Sequence, residues 1–158
     1  EVRDQFINSI DNLAIKPTAI AGVATGGIAI GALVAEKLNL PFCYVRSSAK
    51  EHGLTNQIEG GVKKDEKIIV IEDLISSGKS SLAAVNALEN NKYNVIGLGA
   101  IFSYGFSKAD DNFKQANCPY FTLTSYAELI QIAAEKKYIS QDEIETLNKW
   151  RKSPENWS

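Results

Sequence analysis

IIVIEDLISSGKSSL, residues 68–82, sets four β-branched apolar residues ahead of two carboxylates, a serine-glycine turn and the start of a segment with apolar period. Gly78-Lys79-Ser80 is how a Walker A phosphate loop ends, but the first glycine of G-x-x-x-x-G-K-[ST] would fall at position 73. Asp73 stands there, next to Glu72. Two carboxylates would repel a triphosphate strongly across a few ångströms of low-dielectric space. A phosphorylated sugar fits the order better. Its hydroxyls donate to carboxylates, and its phosphate takes the free backbone N–H groups of a turn leading into a helix. The expected elements are a buried strand over Ile68–Ile71 ending in Glu72 and Asp73, a turn over Ile75–Gly78, and a helix from Ser80 with apolar Leu82, Val85 and Leu88. Ser76, Ser77, Ser80 and Ser81 offer further donors. An ordinary strand, turn and helix would look similar; the paired acids bring the sugar-phosphate reading level with it.

Outward from that stretch, strands and helices alternate. Val2, Phe6, Ile7, Ile10 and Leu13 mark one face of an opening helix. Thr18–Ala24 reads as a buried strand, Gly26-Gly27 as a turn, and 28–38 as a helix. Pro41–Arg46 is extended, and 47–61, SSAKEHGLTNQIEGG, is a long loop of the kind that carries function. Strands are expected over Tyr93–Phe102 and Tyr120–Leu123, then helices from Ser125 to about Lys137 and from Ser140 to about Lys152, the last with Glu143 placed for a capping box. Such alternation implies an α/β fold, a parallel sheet of about five strands flanked by helices, with its ligand outside the carboxyl ends of the strands. The turn after Ala24, the loop after Arg46 and the 72–80 turn should meet there.

With 158 residues and 44% hydrophobic content, the chain can bury one core, so 1–158 is expected to be a single domain. A net charge of −2 gives no reason to propose a nucleic-acid partner, and no apolar run reaches membrane-spanning length. No signal-peptide pattern opens the sequence, so a cytoplasmic location is expected. Cys43 and Cys118 lie in apolar stretches and read as reduced core residues, and a lone histidine, His52, makes a structural zinc site improbable. The absence of methionine and the amphipathic opening suggest a portion of a longer protein with an upstream segment missing.

Arg46, Lys50 and His52 follow the spacing R-x-x-x-K-x-H-G and put three nitrogen donors at the start of the loop. With YVRSSAKEHG, NQIEG, VIEDLISSGKSS and AIFSYGF in this order, the chain resembles the type I phosphoribosyltransferases, and among them the orotate phosphoribosyltransferase family, from about Gly22 to Trp150. The resemblance implies that Glu72 and Asp73 bind the ribose hydroxyls of 5-phosphoribosyl 1-diphosphate (PRPP). Leu74, Ile75, Ser76, Ser77, Gly78, Lys79 and Ser80 would wrap its 5-phosphate, with Ser76 also touching orotate. Ala24, Thr25, Gly26 and Gly27 would floor the diphosphate. Arg46, Lys50 and His52 would serve the diphosphate, with Lys50 and His52 the catalytic pair, in a homodimer whose 47–61 loop reaches the partner's site. Mg2+ would be held by substrate oxygens and water, with no direct protein ligand. A purine phosphoribosyltransferase and a non-catalytic regulatory protein of the same fold remain alternatives.

The match departs from this branch of the family at Lys79, where glycine is usual, and at Ser77, where threonine is usual. The first departure questions any backbone conformation there that needs positive φ. Other branches carry an orotate-contacting arginine near Tyr104 and a lysine where this chain has Ser47. The family's upstream segment, which supplies another lysine and part of the orotate pocket, has no counterpart in this sequence.

Overall fold

The computed structural model describes residues 1–46 and 57–157. The element order is α1 (Val2–Asp11), β1 (Ala19–Val23), α2 (Gly26–Leu38), β2 (Phe42–Val45), β3 (Ile58–Gly60), β4 (Lys67–Ile75), α3 (Lys79–Asn90), β5 (Asn94–Ser103), α4 (Ser107–Gln115), β6 (Tyr120–Ser125), α5 (Tyr126–Glu135) and α6 (Gln141–Lys152), followed by a 3-10 turn at Pro154–Asn156. Six strands form one sheet in the order β3-β2-β1-β4-β5-β6. All pair in parallel except β2 with β3, which run antiparallel.

The apolar run quoted above builds the middle of this sheet because side chains alternate between faces along a strand. Ile68 and Val70 join Leu82, Val85, Leu88 and Phe113 in the layer under α3 and α4. Ile69 and Ile71 face the other way, onto Phe6, Ile10, Val34 and Ala35 of α1 and α2. A strand covered on both faces needs a continuous apolar run, and residues 68–71 are all buried. Helices on both sides of a parallel sheet leave its carboxyl edge open for a ligand.

Three details differ from the sequence reading. The sheet has six strands, not about five, because Ile58–Gly60 inside the expected loop pairs with β2. The central strand continues past the two acids, with Leu74 opposite Phe102 and Ile75 opposite Ser103. Strand pairing therefore takes Ile75 out of the turn and buries its side chain. A helix, α4, occupies 107–115, where none was expected. Its only buried side chains are Ala109 and Phe113, too few apolar positions for a clear period. Ser140 and Glu143 do form a reciprocal capping box, and Cys43 and Cys118 are free and buried.

Candidate active site

The carboxyl ends of β1, β2 and β4 converge, as the parallel register requires. Ala24, Arg46 and Ser80, from three separate segments, line one cavity of about 160 Å³. The turn after β1 packs directly against the acids at the end of β4. A Cβ on Gly26 would lie 1.9 Å from Asp73 Oδ2, and one on Gly27 would lie 2.3 Å from the Ile71 carbonyl oxygen. Only glycines let the expected diphosphate floor come this close to the expected ribose site. The Ala24–Thr25 peptide is cis.

The two acids, adjacent in sequence, have different environments. Asp73 is exposed, and its Oδ1 accepts the Leu74 N–H at 2.8 Å. Glu72 is 4% exposed. Its carboxylate accepts the Ser81 hydroxyl at 3.0 Å and the Asp73 N–H at 3.1 Å. Burial, and then the neighbouring Asp73 side chain, push the Glu72 carboxyl up to about 7. Ser81 is itself fully buried. Its hydroxyl is therefore committed to Glu72 and is not the extra phosphate donor that the sequence suggested.

Beyond the acids, Ser76 and Ser77 make the turn and Gly78 takes φ 76°, the left-handed conformation that glycine adopts without penalty. Lys79 begins α3 and is exposed. The positive φ thus falls on Gly78, and the lysine that replaces the usual glycine sits where any residue is tolerated. No side chain caps α3. Its first N–H groups are the donors that a phosphate would use. The turn is held from below by α4, which the sequence reading missed: Asn112 Nδ2 donates to the Ser77 carbonyl at 2.8 Å, and a Cβ on Gly78 would meet the Phe113 ring at 2.8 Å.

Arg46 closes β2. Its Nη1 donates to Glu59 Oε1 at 3.3 Å, and its carbonyl accepts the Gln57 side-chain amide at 2.8 Å. Such a half-exposed ion pair contributes about 0–1 kcal/mol, so exchange of Glu59 for an incoming anion costs little. Lys50 and His52 lie outside the described residues. Of the other assigned positions, Leu74 is exposed and Ile75 is core.

Residues 1–135 match the phosphoribosyl transferase domain family. The orotate phosphoribosyltransferase of Cytophaga hutchinsonii is 47% identical over 156 residues, 99% of this chain and 75% of that protein. The chain belongs to the orotate phosphoribosyltransferase family. This is a family of pentosyl-transferring enzymes, and in this chain the paired acids stand directly before an uncapped, glycine-turned helix. The Porphyromonas gingivalis member is 53% identical over 139 residues, covering 88% of this chain and 66% of that one, so the chain spans two thirds to three quarters of these relatives' lengths. Among solved structures, Leishmania donovani UMP synthase superposes with a TM-score of 0.80 at 17% identity, over 95% of this chain and 32% of that one. Mycobacterium tuberculosis orotate phosphoribosyltransferase in complex with PRPP does so at 0.68 and 17%, over 81% and 73%. At those identities the likeness shows the fold alone. No helix among the described residues is long and apolar enough to cross a membrane.

Proposed function

We propose that the chain carries out Mg2+-dependent transfer of the phosphoribosyl group from PRPP to orotate, giving orotidine 5-phosphate and diphosphate in pyrimidine biosynthesis. The observation that carries this reading is the Glu72-Asp73 pair set directly before the uncapped start of α3, with the glycine turn of α2 packed against it. Acids for hydroxyls, free N–H groups for phosphate and a close backbone floor for diphosphate stand in the order of the groups along PRPP.

Breaking the C1–diphosphate bond builds positive charge on the ribose ring and negative charge on the departing oxygens. Groups aimed at those oxygens therefore lower the barrier most. Arg46 ends at the cavity beside Ala24, and it is assigned to the diphosphate. Lys50 is assigned the larger share of the developing charge and His52 the positioning of the leaving group. Closure of the segment that joins β2 to β3 and carries Lys50 and His52 would exclude water from the reactive carbon. Among the described residues, no three His, Cys, Asp or Glu side chains are grouped to hold a metal. The exposed Asp73 is suited to hydroxyls and hydrated cations, so Mg2+ would take its ligands from diphosphate, ribose and water, and would neutralise charge on the leaving group. The catalytic unit in this reading is a cytoplasmic homodimer, each loop lending Lys50 and His52 to the partner.

Absorbance assays of the full-length protein with orotate, adenine and hypoxanthine test the reading. Turnover of orotate alone is expected, and turnover of a purine but not orotate would overturn it. Titration calorimetry with PRPP and Mg2+ separates a base error from a failure of the sugar-phosphate site. Lys50→Ala should lose most of kcat while PRPP binding weakens modestly; an unchanged kcat removes the role given to Lys50.

A further inference from the structure

Gln57-Ile58-Glu59-Gly60 supplies none of the groups assigned to PRPP, yet it pairs with the strand that leads into Arg46. In the β2–β3 pair Tyr44 stands directly opposite Glu59, and Val45 opposite Ile58. The pairing extends one residue further, where the Arg46 N–H donates to the Gln57 carbonyl at 2.9 Å. Side chains alternate along a strand, so Tyr44, Arg46, Gln57 and Glu59 share one face while buried Val45 takes the other.

On that face the polar groups form one network around the arginine. Glu59 Oε2 accepts the Tyr44 hydroxyl at 2.7 Å, and Oε1 accepts Arg46 Nη1 at 3.3 Å. The Gln57 side-chain amide donates to the Arg46 carbonyl at 2.8 Å. Main chain and side chain of Arg46 are therefore both held from β3. Nε and Nη2 of Arg46 keep no hydrogen-bond partner among the described residues. Together they form the edge of the guanidinium that can donate to two phosphate oxygens at once. Half exposure makes the Arg46–Glu59 pair weak, so it orients the arginine without outcompeting a diphosphate for it.

We propose that Glu59, fixed by Tyr44, is a positioning residue for diphosphate: it holds Arg46 Nη1 so that the Nε–Nη2 edge stays available to the diphosphate of PRPP. The inference rests on the assignment of Arg46 to that group, given above. An arginine side chain has many rotamers to lose when it binds an anion. One already restrained by a neighbour loses fewer, and affinity rises by the difference. The charge of Glu59 acts in the opposite sense, since a carboxylate near an anion site repels the anion. Solvent screens that repulsion at a half-exposed position, which leaves orientation as the larger effect.

The test is calorimetry on the full-length protein with Mg2+ and two probes, inorganic diphosphate and ribose 5-phosphate, which lacks the diphosphate. Glu59→Ala is expected to weaken diphosphate binding about threefold to tenfold, the effect of freeing one long side chain, and to leave ribose 5-phosphate within about twofold. Glu59→Gln removes the charge but keeps an oxygen for Arg46 and an amide for Tyr44, so it should bind diphosphate at least as tightly as the wild type. Tyr44→Phe should lose about threefold, through one lost hydrogen bond, and nothing further when combined with Glu59→Ala. In an Arg46→Ala background the effect of Glu59→Ala should vanish. Diphosphate binding that tightens equally in Glu59→Ala and Glu59→Gln would mean that Glu59 only repels the anion, and would overturn the role. So would a Glu59→Ala loss that persists without Arg46 or is shared by ribose 5-phosphate, as a general defect at the sheet edge would give. If Glu59→Ala does not fold, an unchanged diphosphate affinity in Tyr44→Phe overturns it as well. Failure of Arg46→Ala to weaken diphosphate binding would instead refute the assignment on which the inference rests.

Discussion

Glu72 shows how much a single residue's surroundings alter its chemistry. Its carboxyl is pushed up to about 7 from an ordinary 4.5, by burial first and then by Asp73. The folded chain therefore keeps a proton that the unfolded chain releases over roughly pH 4.5 to 7. The stability this supplies is complete below the lower value and is lost as pH rises through the upper one. The thermal midpoint should accordingly fall between about pH 5 and about pH 7.5, and Glu72→Gln should remove that part of the slope. Parallel melting curves of the two proteins check it; a wild-type slope retained by the variant contradicts the assignment. At the same scale, the sequence identified the acid pair and the residue types around it. It could not distinguish the exposed acid from the buried one, because their exposure depends on Ser81 returning under the strand from α3.

At the scale of elements, the site is a set of close approaches between turns. Gly27→Ala would push a methyl group against the Ile71 carbonyl, part of the central strand, where neither partner can move aside. A loss of at least about 1–3 kcal/mol is expected in denaturant unfolding, together with weakened PRPP binding because the turn proposed to floor the diphosphate shifts. Asn112→Ala should behave differently. Its amide holds the Ser77 carbonyl from α4, and losing a neutral hydrogen bond costs about 1 kcal/mol. KM for PRPP should rise about fivefold with little change in the orotate preference. A change in neither KM nor stability would show that α4 does not hold the turn. Strands with continuous apolar runs and helices with clear period or a capping box were legible in the sequence. Helix α4 was not, since it presents two buried residues in a polar stretch, and β3 was not, since its three residues acquire strand geometry only by pairing with β2.

At the scale of the whole molecule, two apolar layers sandwich one sheet. Phe6 is fully buried against the sheet, with Phe121 edge-on to it at 6.2 Å, so α1 closes the layer opposite the phosphate turn. Phe6→Ala should cost about 3–5 kcal/mol. Because the site lies at the strand ends, kcat of the remaining folded protein should change little. Chemical denaturation read alongside activity separates the two effects, and a folded variant that is stable but inactive would mean that α1 shapes the site directly.

The order of residues alone pointed to the strands and helices with a clear hydrophobic pattern, to the paired acids and to the turn glycines beside them, because these are local signals. Tertiary structure decided which acid is buried, where the positive φ falls, which helix supports the turn and which carboxylate meets Arg46. Each of these depends on groups distant in the chain being brought within hydrogen-bonding or van der Waals range, and sequence spacing does not encode that proximity.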